Sequence, residues 1–241
     1  IDWDEAKKYS LIVKMNSEKN GSQVKLKPYM FSINTPWQLI NSAPGGQRSY
    51  ITPVVYNDYA FVLSERNINR YDSKNNTWQS FSIPDEINYD NYNSPSPIMF
   101  AVNDYLYMCN TWFYHNAGDT NPYGKRIYRM NIYSGEWTMQ KDTEHILVSV
   151  TPTIIGNDAY ILVGEGATSL NSLYKYNSVS QEWKLLKYNV GEIHHLLSYN
   201  NELWCVSYSN LYKMDMTSYQ LTLKYSADMG FTDLMICDGY I

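Results

Sequence analysis

Four histidines, three cysteines and the Gly164-Glu165-Gly166 triplet are the residues of this chain with the most chemical reach. His194 and His195 are adjacent and open the apolar run HHLLSY. Neighbours on a strand point to opposite faces, so the two do not share one metal; a site would need one of them with His145 and further ligands. His115 is the fourth histidine. Cys109, Cys205 and Cys237 lie inside the runs YLYMC, ELWCV and DLMIC. An odd, sparse set in apolar surroundings is no disulfide framework; these are buried thiols acting as small hydrophobes. Gly164-Glu165-Gly166 follows an apolar run but opens no helix, which a dinucleotide loop requires. Asp2-Trp3-Asp4-Glu5 is a solvated acidic terminus. No G-x-S-x-G, H-E-x-x-H or phosphate-cradling glycine loop occurs. We therefore expect no catalytic residue, no metal and no cofactor.

Composition narrows the remaining classes. The chain has 241 residues, 44% hydrophobic, with 18% charged residues and a net charge of −5. That suits one large all-β domain or two small ones, with a sizeable core. Without an apolar run of membrane-spanning length or a basic cluster, neither a membrane nor a nucleic acid is an expected partner. Free thiols and the lack of a signal-like segment point to the cytoplasm, while the sequons at Asn20 and Asn75 point the other way. With 24 Tyr, 7 Trp and 6 Phe, 15% of the chain is aromatic, a composition that favours strands.

The aromatics recur in a pattern. INRYDSKNNTWQSF (68–81), IYRMNIYSGEWTMQ (127–140), LYKYNSVSQEWKLL (173–186) and LYKMDMTSYQLTLK (211–224) align with one another. In each, Asp72, Asn131, Asn177 or Asp215 ends a strand and starts a polar turn by bonding its own backbone. The next strand opens with Trp78, Trp137, Trp183 or Leu221; Trp37 keeps the same spacing earlier on. A second hairpin precedes each of these. Its turns are Asn57-Asp58, Asn103-Asp104, Asn157-Asp158, Asn200-Asn201 and Asp238-Gly239. The runs that follow (AFVL, LYMC, YILV, LWCV) are continuously apolar, as in a strand buried on both faces. Each unit is thus four strands, a to d, at the spacing of a propeller blade.

The units YDSKNNTW (71–78), YNSVSQEW (176–183) and, with Met130 in place of the Tyr, MNIYSGEW (130–137) resemble the kelch repeat, which leaves six residues between a Tyr and a Trp. The kelch glycine pair after strand b has a counterpart only at Gly164-Glu165-Gly166. The resemblance covers about residues 9–241. It implies an all-β, kelch-like β-propeller of four-stranded antiparallel blades, a single domain over 1–241. Its blades would be 1–48, 49–94, 95–147, 148–193, 194–228 and a partial one at 229–241. That is about five and a half blades of an expected six, completed by further residues or by another chain.

In such a propeller the b–c and d–a loops share one rim, where variable loops on a rigid scaffold carry recognition. The b–c loop 110–126 gathers Trp112, Phe113, Tyr114, His115, Tyr123 and Arg126. The d–a loop 84–95 adds Tyr89 and Tyr92, and shorter b–c loops add Arg66 and Tyr208. Aromatics with Arg dominate protein interfaces. These residues imply a non-catalytic module that grips a protein; the alternative is a carbohydrate-binding or sugar-modifying propeller. Arg70, Arg129, Lys175 and Lys213 recur at one strand-c position; a ring of cations could form an anion surface, but they read as spokes that pair with nearby Asp or Glu or lay their stems over Trp.

Overall fold

The computed structural model describes residues 44, 53–64, 66–85, 87, 97–109, 127–140, 152–164 and 171–227. The chain forms two compact units, Ile1–Asn41 and Ser42–Ile241, and every described residue lies in the second.

The described residues form sixteen strands and no helix. Sheet I is β1 (Val54–Tyr56), β2 (Tyr59–Ser64), β3 (Asn67–Asp72) and β4 (Thr77–Ser82). Sheet II is β5 (Ile98–Val102), β6 (Tyr105–Cys109), β7 (Ile127–Asn131) and β8 (Trp137–Met139). Sheet III is β9 (Thr153–Ile155), β10 (Asp158–Gly164), β11 (Asn171–Asn177) and β12 (Glu182–Lys187). Sheet IV is β13 (His195–Tyr199), β14 (Glu202–Ser207), β15 (Asn210–Met214) and β16 (Leu221–Ser226). Strand order within each sheet follows chain order, all antiparallel. The first strands β1, β5, β9 and β13 touch in succession, so the sheets are arranged as blades of a β-propeller. Against the expectation of about five and a half blades, four are described. They match units 49–94, 95–147, 148–193 and 194–228. The expected blade 1–48, apart from Pro44, and the expected strands at 229–241 lie outside the described residues.

The core lies between sheets. On β6, Leu106 and Met108 face sheet I, whereas Tyr107 and Cys109 face sheet III, and all four are buried. That is why the run after each turn is continuously apolar. The II–III seam also takes Phe100 and Ile127 from sheet II and Ile161, Tyr174 and Tyr176 from sheet III. The III–IV seam packs Tyr160, Leu162 and Leu173 against Leu203, Cys205 and Met214. Each fully buried side chain of this size contributes roughly 1.5–3 kcal/mol, so the seams are the main source of stability.

One register differs from the sequence expectation. The third a–b turn is Gly156-Asn157, one residue earlier than Asn157-Asp158. Gly156 takes φ +61° at no steric cost, which releases Asp158 into β10, where it bonds Lys175 and Asn177. With this register, Phe61, Tyr107, Tyr160 and Trp204 become equivalent. Each sits directly across from the strand-c cation of its sheet: Arg70, Arg129, Lys175 and Lys213.

Candidate interaction surface

The rim made by the a–b and c–d turns is built by short polar side chains. Asp72 Oδ1 accepts the N–H groups of Lys74 and Asn75, at 2.9 and 3.1 Å. Asn131 does the same for Tyr133 and Ser134, Asn177 for Val179 and Ser180, and Asp215 for Thr217 and Ser218. The residue four beyond each cap is left-handed: Asn76, Gly135, Gln181 and Tyr219. Three of these positions carry side chains. Glycine stands at 135 because a Cβ there would meet the Phe81 ring at 2.1 Å. Hydrogen bonds hold Asp72 and Asp215 below the usual carboxylate range, to Asn75 and Ser218 respectively in the main.

The same rim carries a cluster that the sequence reading did not single out. Asp104 Oδ1 accepts both Tyr56 Oη–H and Tyr133 Oη–H at 3.3 Å, and the Tyr133 ring meets Tyr59 edge-on at 6.1 Å. The signal lay in the recurrence of Tyr at 56, 59 and 133 beside turn residues.

Each recurring cation engages a ring, a carbonyl or an acid nearby. The Arg70 guanidinium lies 4.6 Å over Tyr59 and donates to the Ile132 carbonyl and to Gln79 Oε1. Arg129 lies 4.1 Å over Tyr105. Lys175 bonds Asp158 at 2.8 Å and Lys213 bonds Glu202. The residue opening strand b is thus Tyr where the cation is Arg, and an acid where it is Lys. Arginine stacks on rings, while ammonium prefers a point charge. The expected pairing with acids is realised at Lys175 and Lys213, whereas the arginines lie over Tyr59 and Tyr105 and not over Trp.

The tryptophans bind neighbouring sheets together. Trp137 Nε1–H donates to the Ser82 carbonyl of sheet I at 3.1 Å, and Trp183 packs into the II–III seam. One position further round, Lys187 of sheet III donates to the Tyr219 carbonyl of sheet IV at 2.8 Å.

Of the residues expected to face a partner, Arg66 and Tyr208 are described. Arg66 acts as a clamp. Its Nη2 donates to the Pro84 carbonyl and to Asp85 Oδ1, both at 3.1 Å, and Nη1 reaches the Ile87 carbonyl at 3.3 Å. It thereby fixes the start of the d–a connection. Tyr208, in the turn between β14 and β15, is 68% exposed, and its ring meets His194 edge-on at 4.7 Å. Tyr188, between β12 and β13, is also exposed. Tyr89, Tyr92, Trp112, Phe113, Tyr114, His115, Tyr123 and Arg126 lie outside the described residues, as do His145 and Cys237.

Cys109 and Cys205 are free, buried thiols, as their apolar runs implied. Burial pushes both up, Cys205 to about 12, so neither ionises near neutral pH. His194 is exposed and His195 half-buried. No group of three or more His, Cys, Asp or Glu able to hold a metal occurs among the described residues. No protein-family profile matches the chain, and neither does any curated protein.

Proposed function

We propose that this chain is a non-catalytic, kelch-like interaction module that grips a protein partner through its b–c and d–a loop rim. The observation that carries this is Tyr208. It is a large aromatic at a short, well-formed turn, two-thirds exposed, braced by one histidine and taking no part in the three cores. An aromatic held out on a rigid edge is the kind of anchor that supplies most of an interface's energy. In sequence, the 110–126 segment carries Trp112, Phe113, Tyr114 and Arg126, residues of the same chemistry. A rigid scaffold limits the ordering cost of binding. The sugar-handling alternative has no comparable feature behind it among the described residues, whose aromatics largely pack between sheets.

The test is an affinity capture with the wild-type chain and two variants, Tyr208→Ala and Trp112→Ala/Tyr114→Ala. Circular dichroism confirms that each is folded. Recovery of the wild-type partner should fall at least tenfold with each variant. Unchanged recovery would refute the rim assignment, and binding to a glycan array in place of a protein would favour the sugar reading.

A further inference from the structure

The connection from β12 to β13 is built to hold its shape. Val190 and Ile193 are buried in the III–IV seam, and Asn189 and Gly191 beside them are left-handed. Val190 N–H donates to the Asn171 carbonyl at 2.7 Å, and Gly191 N–H to Asn189 Oδ1 at 3.1 Å. Asn171 Nδ2 donates to the Ile193 carbonyl at 2.8 Å, and His194 N–H to the Val206 carbonyl at 2.8 Å. The last of these ties the connection to β14, two residues before Tyr208.

With Ile193 turned inward, its neighbours Glu192 and His194 are both exposed. The His194 ring meets Tyr208 edge-on at 4.7 Å. Two residues of chain span at most about 7 Å, so the Glu192 backbone lies close to this ring pair. Among the described residues, no side-chain hydrogen bond or ion pair engages Glu192, His194 or Tyr208. A fixed, unsatisfied carboxylate beside an open phenol face suits a guanidinium. That flat cation stacks on a ring while its N–H groups pair with the carboxylate. The chain makes the stacking half of this contact twice within itself, with Arg70 over Tyr59 and Arg129 over Tyr105.

The charge of the rim has the matching sign. In sequence, the segments that leave the strands on this side (65–66, 83–97, 110–126, 141–152, 165–170 and 188–194) hold nine Asp or Glu against four Lys or Arg. One of the four cations, Arg66, is already bonded to Asp85. An acidic rim draws in a basic partner and turns away an acidic one.

We propose that the partner held at this rim presents an arginine, whose guanidinium lies over the Tyr208 ring and pairs with Glu192. This rests on the reading of the rim as the binding face and names the chemistry that the face selects.

Two measurements on the whole chain test it. In the first, isotope-labelled protein is titrated at constant ionic strength with blocked Gly-Gly-X-Gly-Gly peptides, X being Arg or Glu, and the Tyr208 and His194 ring signals are followed. The Arg peptide should shift both rings saturably and the Glu peptide neither. Glu192→Gln should weaken the Arg peptide by about threefold, the size of an exposed ion pair. No saturable shift with the Arg peptide, equal shifts with both peptides, or an unchanged affinity in Glu192→Gln would each overturn the proposal. The second is affinity capture with wild type, Glu192→Lys and Tyr208→Ala, each verified as folded by circular dichroism. Glu192→Lys should lower partner recovery by about tenfold, as Tyr208→Ala does. If Tyr208→Ala lowers recovery and Glu192→Lys does not, the rim assignment stands and the arginine is contradicted. If neither lowers it, the rim assignment itself fails, and the proposal with it.

Discussion

Gly135 illustrates how much a single position can carry. Its three counterparts are Asn76, Gln181 and Tyr219, all left-handed and all with side chains, so the conformation alone does not demand glycine. What demands it is the Phe81 ring, itself buried, at 2.1 Å from any added Cβ. Gly135→Ala should cost roughly 2–4 kcal/mol in urea unfolding, the sum of left-handed strain and overpacking. Gly156→Ala, where a Cβ meets nothing within 4 Å, should cost only about 1–2 kcal/mol. The four caps make a second residue-scale case. They were legible in sequence because Asp and Asn are the short side chains that bond their own backbone, and all four do so. The left-handed fifth position was not legible, since Gln181 and Tyr219 are not residues that announce it. Asp72 and Asp215 have folded pKa values below the unfolded one. Their contribution is therefore complete above the unfolded value, near 3.8, and is lost as pH falls through the lower folded value. Asn131 and Asn177 do the same work without titrating. An Asp72→Asn/Asp215→Asn variant should match wild type closely at pH 7 and lose less stability below pH 3.8. Superimposable acid-unfolding limbs would contradict the assigned role.

At the scale of the strand, the pairing of Tyr with Arg and of acid with Lys across β2–β3, β6–β7, β10–β11 and β14–β15 shows one geometric slot filled in two ways. The recurrence of the cations was visible in sequence. Their partners were not, because the third turn was placed one residue late, and a one-residue slip turns every side chain to the other face. The aromatic facing each cation gives the correction: only a Gly156-Asn157 turn puts Tyr160 opposite Lys175, in line with Phe61, Tyr107 and Trp204. Burial on both faces of strand b also fixes the behaviour of the thiols. Cys109 and Cys205 should resist alkylation in the native protein and react on unfolding, as read by peptide mass mapping. Labelling of either within minutes under native conditions would mean that the seams open far more readily than their packing implies.

For the molecule as a whole, the repeat was legible because each sheet needs the same few residues to turn and to pack. Partner recognition was much less so. Arg66, expected to face a partner, clamps Pro84, Asp85 and Ile87 within its own sheet's connection, an engagement that no local pattern signals. Tyr208 is exposed. A loop rim can serve recognition only if the sheets beneath it hold still, so the stacking of the sheets underlies the functional proposal. Nuclear Overhauser contacts on isotope-labelled protein test that stacking most directly. The account predicts cross-peaks from the Trp137 indole to β4 protons near Ser82, between the Phe100 and Tyr176 rings, and from the Lys187 side chain to Tyr219. If contacts within sheets, such as Tyr71 to Trp78 and Phe100 to Tyr107, were present while those between sheets were missing, radial stacking would be contradicted.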